Sequence, residues 1–214
     1  MNIKNIYKKR FDNIRQRDFI WKVLVNDFFQ KYIKKDDVVL DVGCGYGEFI
    51  NNINCRKKLA IDINPDVKKY LNKNVIFHNE PSAKLSSIKS NSINKIFVSN
   101  FFEHLDKKDI TATIGEFKRV LKKGGLALVL QPNIRLLLQD YWMFFDHVTP
   151  IDDRALEEVF NLYDFELIKK ILRFLPYTTK SNFPKSAFFV SLYLKIPLLW
   201  SIFGKQSFLI FQKL

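Results

Sequence analysis

A glycine-rich stretch at residues 38–50 most constrains the fold of this chain. Its sequence is VVLDVGCGYGEFI, an apolar run broken only by Asp41 and followed by Gly43, Gly45 and Gly47. A short apolar run of this kind is typical of a parallel strand covered on both faces. Glycine tolerates positive φ and lets a ligand approach the bare backbone. The stretch therefore predicts a buried strand, a tight turn and a helix N-terminus that bind a nucleotide-like ligand carrying a carboxylate or phosphate.

The spacing of the glycines separates two classes of nucleotide site. The dinucleotide pattern is G-x-G-x-x-G; Gly43 and Gly45 fit it, but position 48 is Glu. The spacing is instead Asp-x-Gly-x-Gly-x-Gly, from Asp41 to Gly47. This resembles motif I of the class I S-adenosylmethionine (SAM) methyltransferases. The alternative is a glycine turn that only links a strand to a helix.

Length and cysteine content limit the domain organisation. A chain of 214 residues accommodates one α/β domain with additions and is too short for two ordinary ones. Cys44 and Cys55 form no C-x-x-C pair, so neither a disulfide framework nor a zinc site is indicated, and we expect no metal site. The N-terminus lacks the apolar segment and cleavage site of a signal peptide, which favours a cytoplasmic protein.

The net charge of +13 is concentrated at the two ends of the chain. Residues 1–35 carry +7 and residues 167–214 carry +8, whereas residues 36–166 carry −2. One explanation is a lysine-rich composition whose charges are simply solvated. The other is a basic surface that attracts an anionic partner: a phosphorylated or pyrophosphate-linked substrate, an acidic membrane surface or RNA.

Hydrophobic periodicity predicts the remaining elements. Apolar residues at helical spacing predict a helix over about residues 17–34, which packs on the sheet and contributes to a lid over the ligand. Another helix is predicted over 106–123, where Gly124 and Gly125 end it, and a third begins near Asp152. Further strands are predicted at 58–63, 75–77, from 93 onward, and at 126–131, 165–174 and 207–211.

Polar side chains follow two of these strands. Asp62 ends the second strand, 17 positions after Gly45, where an acid accepts both hydroxyls of a ribose. This geometry serves NAD and SAM alike, and an ordinary surface carboxylate is the alternative. The third strand ends in His78-Asn79-Glu80. Class I methyltransferases often carry an Asp there, near the adenine, so Asn79 or Glu80 is expected to supply that contact.

A second motif, Ser-Asn-Phe-Phe-Glu-His-Leu at residues 99–105, follows the fourth strand. It resembles the Glu-His motif of the same family, although Asn94 replaces the Asp that usually opens the strand, in a role expected to be structural. With motif I and Asp62 in the correct order, the chain is identified as a class I SAM-dependent methyltransferase, similar to methyltransferase types 11 and 12. The resemblance covers residues 36–131 closely.

The family resemblance implies an α/β, Rossmann-like fold. Its seven-stranded sheet has the order 3-2-1-4-5-7-6, with strand 7 antiparallel, helices on both faces and here a helical insertion before the last strand. We expect one domain, 1–214. It comprises a basic helical segment (1–35), a cofactor-binding core (36–131) and a substrate-side part (132–214) with an apolar insertion at 183–204.

The resemblance also implies SAM as the cofactor and S-adenosylhomocysteine as the product. The residues expected at the cofactor are Asp41, Gly43, Cys44, Gly45, Gly47, Asp62, Ile63, Asn79, Glu80, Asn100 and Phe101. Methyl transfer needs a nucleophile held in line with the methyl group and shielded from water. A hydroxyl nucleophile also needs a base.

His147 is the candidate general base. It follows strand five, where substrate loops of the family emerge, and Asp146 beside it could orient the ring. His104, in the Glu-His motif, is the second candidate, although in the family this histidine more often shapes the cofactor pocket. His78 lies too near the expected adenine. The alternative for His147 is a structural histidine that caps the helix beginning near Asp152.

The insertion at 183–204 is rich in Phe, Leu and Ile, but Lys195 and Pro197 interrupt it, so a transmembrane helix is not expected. It is predicted to pack on the sheet or form a homodimer contact. The functional alternatives are an interfacial helix pair at a membrane or an apolar lid over the substrate.

Three hypotheses for function remain. The first is O-methylation of a sugar, a lipid-linked and anionic glycan or another small molecule, peripherally at the inner membrane surface. Residues 144–180 loosely resemble methyltransferases of bacterial surface-polysaccharide synthesis. The second, an RNA methyltransferase, is less favoured because no RNA-binding module is visible. The third is a non-catalytic SAM-binding protein that acts through a partner, against which the intact motifs argue.

Missing motifs exclude two other chemistries. No Asn/Asp-Pro-Pro-Tyr motif follows strand four, which disfavours amino methylation of nucleic acids and glutamine. No cysteine follows strand four or five, which disfavours cytosine C5 methylation through a cysteine adduct.

Overall fold

The computed structural model describes residues 14–177 and 186–214. The strands are β1 (Val38–Val42), β2 (Lys57–Ile61), β3 (Val75–His78), β4 (Ile93–Ser99), β5 (Leu121–Pro132), β6 (Phe165–Ile171) and β7 (Gln206–Lys213). The α-helices are α1 (Ile14–Asp27), α2 (Glu48–Asn52), α3 (Lys107–Val120), α4 (Ile134–Leu137), α5 (Asp153–Asn161), α6 (Ala187–Lys195) and α7 (Pro197–Phe203). Short 3-10 turns cover Phe29–Tyr32, Pro65–Tyr70, Phe102–His104 and Leu138–Met143.

The strands form one sheet in the order β3-β2-β1-β4-β5-β7-β6. Neighbouring strands are parallel from β3 to β5, whereas β7 runs antiparallel to both β5 and β6. The predicted strand order and the antiparallel seventh strand are confirmed. The chain order of the parallel strands changes direction at β1 and β4, and ligands of open α/β sheets bind at such a point.

Strand β1 lies between β2 and β4, and all five of its residues are buried. The register places Asp41 beside Ala60 of β2 and Phe97 of β4. At the start of the strand, the Val38 N–H donates to the side-chain oxygen of Asn94 at 3.0 Å. Asn94 therefore joins the N-terminal ends of β1 and β4, which agrees with the structural role expected for it.

Apolar clusters cover both faces of the sheet. In one cluster Phe160 of α5 stacks on Phe211 of β7, with ring centroids 3.9 Å apart. In the other, Phe28 at the end of α1 packs against Phe174, with centroids 4.2 Å apart. Alternate residues of β1 belong to different clusters, as expected for a parallel strand buried on both sides.

The predicted helix over 106–123 is wrong at its C-terminal end. Helix α3 ends at Val120, and β5 begins at Leu121. Leu121 is buried and pairs with Ile93 of β4, and the pairing shifts register between Ile93 and Lys95. The pairing of buried Leu121 with β4 therefore outweighs the helical propensity of residues 121–123. A β-bulge accommodates the extra residues of β5 between Leu121 and Leu126.

Other predicted boundaries shift for similar reasons. The predicted helix over 17–34 divides into α1, which ends at Asp27, and a separate 3-10 turn. The predicted strand over 165–174 ends at Ile171. Phe174 has left the strand, since its N–H donates to the Gln206 carbonyl at the start of β7 and its ring is buried.

The described part of the apolar insertion forms α6 and α7; residues 183–185 lie outside the described residues. Helix α6 packs against α1. Its Ser191 hydroxyl donates to Asp27, and its Tyr193 hydroxyl donates to the Phe174 carbonyl. The outer surface of the pair exposes Phe188, Phe189, Leu192, Leu198, Ile202 and Phe203. Among the described helices, none combines the length and the apolar character needed to cross a membrane.

Substitution of Gly47 tests how the turn before α2 is stabilised, and Gly124 of β5 provides the comparison. Gly47 has φ +75°, and a Cβ there would lie 2.5 Å from Leu71 Cδ2. Gly124 has φ +72°, but its Cβ would meet no atom closer than 3.7 Å. We expect G124A to lower the free energy of unfolding by about 1–2 kcal/mol through backbone strain. G47A should lower the free energy of unfolding by about 1 kcal/mol more than G124A does, because its added Cβ also crowds Leu71. Urea unfolding measures both, and equal losses would contradict the packing role of Gly47.

Candidate functional site

A cavity of about 770 Å³ opens at the carboxyl edge of the parallel strands. Its floor is formed by the segments that follow β1, β2 and β4, namely 43–46, 62–64 and 99–105. Helix α1 covers one side, and residues of the C-terminal part, including Tyr177 and Tyr193, complete the wall. Because parallel strands present their carboxyl ends at one edge, motifs separated by 60 residues in sequence meet here.

The glycine turn presents bare backbone to this cavity. The N–H groups of Gly43 and Cys44 both donate to the Ile61 carbonyl, at 2.9 and 3.1 Å, which fixes the turn against β2. Gly43 has φ +66°, and a Cβ there would lie 2.3 Å from the Phe101 ring. Gly45 has φ +51°, and its Cβ would approach only Glu48, at 4.0 Å. Gly43 therefore makes room for a protein ring, and Gly45 leaves space for a ligand.

Gly47 and Asn79, both predicted at the cofactor, do not line the cavity. Gly47 adopts a left-handed conformation at the N-terminal cap of α2 and packs on Leu71. Asn79 donates its side-chain amide to the backbone oxygen of Asp62 at 2.8 Å. Both positions therefore support the site from behind, because their local bonds turn them away from the ligand space.

Glu80 lies on the cavity wall, but its carboxylate bonds to the backbone N–H and hydroxyl of Ser87. Ser82 lines the same wall and shares a 2.7 Å hydrogen bond with Thr113. The sequence offered Asn79 or Glu80 for the adenine contact. Of the two, Glu80 lines the cavity, as part of a wall formed after β3 by residues 80–83.

Asp62 joins the end of β2 to the glycine turn. Its Oδ2 accepts the Gly45 N–H at 3.0 Å, and its Oδ1 accepts the Asn64 N–H at 2.8 Å. Burial raises the pKa of Asp62, and these two bonds oppose the shift. A carboxylate has about four lone-pair directions, so two hydroxyl groups can still donate to this side chain.

Three carboxylates surround the glycine turn. Burial raises the pKa of Asp41 well above its ordinary range, and Glu48 and Asp62 add to the effect. Arg17 of α1 places its Nε and Nη2 at 2.8 Å from Glu48 Oε1. This bond fastens α1 across the turn, in agreement with the lid expected from residues 17–34. The acidic surroundings favour a ligand that carries positive charge.

The end of β4 contains strained backbone. Asn100 has φ +49°, an uncommon value for a residue other than glycine. Its side-chain amide donates to the Ser99 hydroxyl, and its backbone N–H donates to the Leu130 carbonyl of β5. Strain of this kind concentrates at functional sites. It turns the chain sharply after the strand, and Asn100 and Phe101 line the cavity as predicted.

The predicted histidines meet at a buried glutamate. Glu103 is 1% exposed, and its Oε2 accepts the Gln131 amide at 2.7 Å. Its Oε1 lies 3.8 Å from His104 Nε2 and 3.9 Å from His147 Nε2. Burial raises the pKa of Glu103, opposed chiefly by the attraction of His104. The backbone oxygen of Glu103 accepts the N–H groups of Val148 and Thr149, which positions the loop of His147.

The structure bears on two sequence-based interpretations of His147. Glu103 Oε1 lies 3.9 Å from His147 Nε2, and Asp146, which was expected to orient His147, approaches His104 Nδ1 at 3.5 Å. The helix-cap alternative fails. Asp152 itself caps α5, by accepting the N–H groups of residues 154 and 155. The ring of His147 instead lines the cavity.

Sequence reasoning missed Glu103, Arg17 and Tyr177 as site residues. The Tyr177 hydroxyl lies 3.4 Å from His147 Nε2, and its ring packs against Phe144 with centroids 5.6 Å apart. Glu103 could have been predicted, because it is the glutamate of the Glu-His motif. Arg17 could have been predicted less readily, because its only indication is that it precedes Trp21 of the apolar stripe by one helical turn. Tyr177 could not have been predicted, because only the folded chain brings it to residue 147.

Residues 13–170 match the model of a family described as a methyltransferase domain. Among curated proteins, an uncharacterized protein of Methanocaldococcus jannaschii is 30% identical over 141 residues. The match covers 63% of this chain and 53% of that protein, so the aligned part spans about half of the relative.

Solved structures share the whole architecture. A SAM-dependent methyltransferase from Archaeoglobus fulgidus is 21% identical, with a TM-score of 0.69 over 99% of both chains. One from Methanosarcina mazei is 19% identical, with a TM-score of 0.63 over 87% of this chain and 96% of that one. A methyltransferase in complex with the Haloferax volcanii Trm112 activator is 14% identical, with a TM-score of 0.69 over 97% and 96%.

At these identities the likeness to solved structures shows the fold, and the family match extends over most of the chain. The order of the sheet, the glycine turn and the acid at the end of β2 agree with it. The chain therefore belongs to the methyltransferase-domain family of class I SAM-dependent methyltransferases, and its cofactor is S-adenosylmethionine.

Proposed function

We propose that the protein transfers the methyl group of SAM to a hydroxyl group of a sugar, a lipid-linked glycan or a similar small acceptor. The observation that carries this proposal is the buried pair of Glu103 and His147 in the cavity wall, with 3.9 Å between Oε1 and Nε2. A carboxylate beside an imidazole is an arrangement that removes a proton from a hydroxyl nucleophile. Glu103 follows β4 and His147 follows β5, which lie about 10 and 14 Å along the sheet from β2 at ordinary strand spacing.

The cavity residues fit the cofactor. Asp62, which accepts the Gly45 N–H, would accept the ribose hydroxyls with its remaining lone pairs, and Gly45 leaves backbone uncovered beside it. Asp41 and Glu48 supply negative charge next to the turn, which suits a cationic ligand. When bound, SAM supplies a methyl group activated by its positively charged sulfur. The chain contributes binding and orientation, and helix α1 limits access of water to this part of the cavity.

The charge of the cavity wall bears on the acceptor. Among the described lining residues there are seven carboxylates and one arginine. The carboxylates are Asp41, Glu48, Asp62, Glu80, Glu103, Asp109 and Asp146. This wall disfavours an anionic group inside the cavity. We therefore propose that a neutral hydroxyl-bearing part of the acceptor enters, and that any phosphate predicted from the basic ends of the chain stays outside.

The proposed proton transfer uses groups that the fold fixes in place. Gln131 holds Glu103 Oε2, so the other oxygen faces the imidazoles. As the acceptor oxygen attacks the methyl carbon, its proton passes to His147 Nε2, and the nearby carboxylate stabilises the imidazolium. The rings of Phe144 and Tyr177 pack beside His147 and exclude water.

The outer surface of α6 and α7 supports a membrane-presented acceptor. Phe188 is 69% exposed and Leu198 70% exposed, whereas Val190 and Tyr193 of α6 line the cavity from inside. A helix pair that is apolar outside and reaches the cavity inside suits a lipid-linked substrate at a bilayer surface. The Haloferax volcanii complex with the Trm112 activator suggests the alternative, a protein partner on this chain.

Label transfer tests the proposed function. The protein would be incubated with methyl-labelled SAM and separated fractions of RNA, soluble metabolites and membrane glycolipids. Base-stable label in a hydroxyl-bearing metabolite or glycolipid supports the proposal. Label in RNA, or SAM binding without transfer to any fraction, contradicts it and favours the RNA-methylating or the non-catalytic hypothesis.

Substitution of His147 separates chemistry from cofactor binding. We expect H147Q to reduce turnover at least about 100-fold, the usual contribution of a general base, with unchanged SAM affinity. Product formation and calorimetric SAM binding measure the two effects. H78Q is the matched control, because His78 ends β3 and does not line the cavity. Retained turnover in H147Q would remove this residue from the mechanism.

Substitution of Asp41 should separate stability from function. Deprotonated Asp41 opposes folding at neutral pH, because burial, Glu48 and Asp62 raise its pKa. D41N removes that cost, and a gain of about 1 kcal/mol would raise the Tm by about 2–4 °C. SAM affinity should fall about tenfold or more with the lost charge. Thermal melts with and without SAM test this, with exposed D36N as control; a lower Tm would contradict it.

Vesicle binding tests the proposed membrane contact. The wild-type protein should bind anionic phosphatidylglycerol vesicles, and F188S/L198S should weaken binding at least about tenfold, since each substitution removes a large apolar side chain. L162S is the control, because Leu162 is 76% exposed at the end of α5. Equal sedimentation of all three proteins with vesicles would contradict a role for α6 and α7. A protein partner or a second copy of the chain would then be the better occupant.

A further inference from the structure

Glu103, His104 and His147 offer two imidazole nitrogens and a carboxylate oxygen within 4.8 Å of one another. All three residues line the cavity, so a species bound between them reaches the space where an acceptor lies. We propose that these side chains bind one divalent transition-metal ion, and that its remaining coordination positions take two neighbouring oxygen atoms of the acceptor.

The distances suit one ion. Glu103 Oε1 lies 3.8 Å from His104 Nε2 and 3.9 Å from His147 Nε2. Metal bonds of about 2.0–2.2 Å to nitrogen and oxygen place neighbouring ligand atoms about 2.8–3.6 Å apart. Both distances exceed that range by a few tenths of an ångström, so binding of one ion requires only a small contraction of the cluster. The two rings are nearly perpendicular, with centroids 5.0 Å apart, so they approach the carboxylate from different directions.

The hydrogen bond behind His104 fixes which nitrogen faces the glutamate. Its Nδ1 lies 3.1 Å from the backbone oxygen of Asp146. A carbonyl oxygen only accepts, so Nδ1 carries a hydrogen, and Nε2 is the nitrogen that faces Glu103 and can bind a metal. A cation between Nε2 and Glu103 Oε1 would attract both atoms. Support of a histidine through its other nitrogen is also the usual arrangement behind metal ligands.

The electrostatics of the cluster favour a cation. Glu103 is 1% exposed, and Gln131 satisfies Oε2, which leaves Oε1 directed at the two rings. The Asp146 carboxylate adds a second negative charge, 3.5 Å from His104 Nδ1. Buried carboxylates are stable when paired or bound to metal. A divalent ion would therefore supply the positive charge that the buried Glu103 carboxylate needs.

His147 approaches from the loop after β5. Its side chain is 2% exposed, and its Nε2 contacts the Tyr177 hydroxyl at 3.4 Å, the long end of hydrogen-bond distances. A metal bond would replace this contact, and the tyrosine hydroxyl would then be close to the metal-bound oxygen atoms of the acceptor. The ring therefore needs no large movement to become a ligand.

The ligand types indicate the class of metal. Imidazole suits Fe²⁺, Ni²⁺, Cu²⁺ and Zn²⁺, and the carboxylate extends the set to Mn²⁺, whereas Mg²⁺ and Ca²⁺ prefer oxygen ligands throughout. Three protein ligands leave two or three positions for other oxygens. An acceptor with vicinal hydroxyls, as in many sugars, can occupy two of them. Binding would hold the acceptor and lower the pKa of the bound hydroxyl.

Metal binding itself stands apart from methyl transfer, but the chelation of an acceptor rests on the proposed function. With a metal present, His147 acts as a ligand instead of a base. The substitution H147Q removes either role, so turnover of that variant cannot separate them. Direct binding of a metal and the response of turnover to chelation can.

The test is metal binding by the full chain after dialysis against EDTA. Mn²⁺ would be titrated and its unbound fraction followed by electron paramagnetic resonance, and Co²⁺ would be followed by visible absorption. We expect one Mn²⁺ per chain at micromolar concentration and no competition from millimolar Mg²⁺. E103Q, H104Q and H147Q should each weaken binding at least about 100-fold, since loss of a mere supporting group costs about 10–100-fold.

Matched controls exclude indirect effects. E158Q and H78Q alter an exposed carboxylate and a histidine outside the cavity, and both should bind Mn²⁺ as the wild type does. E103Q should remain folded, because the neutral side chain still accepts the Gln131 amide; a melt checks this. Failure of the wild type to bind Mn²⁺ or Co²⁺, or equal binding by the three variants, would overturn the inference.

Turnover separates this inference from the proposed function. Transfer to a vicinal diol that stops in EDTA and returns with Mn²⁺ supports acceptor chelation. Transfer that continues in EDTA, with no Mn²⁺ bound, overturns the metal site and leaves the proposed function intact. Mn²⁺ binding that the three variants lose, without transfer to any hydroxyl, supports the site and contradicts the proposed function.

Discussion

The parallel pairing of β1 with β2 and β4 is the interaction on which the site depends. It brings the glycine turn, Asp62 and the Glu-His motif to one edge of the sheet. Three hydrogen bonds connect this pairing to the ligand space: the Ile61 carbonyl accepts the N–H groups of Gly43 and Cys44, and the Asp62 carboxylate accepts the N–H of Gly45. A register slip of one residue would turn the alternating side chains of β1 to the wrong faces. The buried core on both sides of the sheet prevents that slip.

The site contains several buried carboxylates that lower the stability of the fold when they are ionised. Burial raises the pKa values of Asp41, Asp62 and Glu103. For an acid, a raised folded-state pKa means that the stabilising contribution exists at low pH and is lost as pH rises through the folded pKa. At neutral pH these groups therefore oppose folding when they are ionised. A cationic ligand offsets this electrostatic cost when it binds, so binding of the ligand stabilises the folded protein.

Much of the architecture and the cofactor side could be predicted from sequence because the signals are local. Motif I, the acid after β2 and the motif after β4 each lie within a few residues, and the strand order follows from the family they indicate. Sequence alone predicted Gly47 and Asn79 at the ligand because their residue types fit a binding role. The packing of Gly47 on Leu71 and the bond of Asn79 to the Asp62 backbone appear only in the folded chain.

The acceptor side could not be predicted in the same way because its residues come from distant segments. Glu103, His147 and Tyr177 follow different strands, and no spacing rule connects them. Asp146 was expected to orient His147, and only the folded chain shows that its backbone oxygen and carboxylate also lie against His104. The consequence is chemical. His104 and His147 both direct Nε2 at Glu103 Oε1. Without a metal, the free lone pair of His147 Nε2 takes the proton of the acceptor hydroxyl. With a metal, the same nitrogen is a ligand and the metal-bound hydroxyl is activated instead, so the species held by these three atoms decides how the hydroxyl is activated.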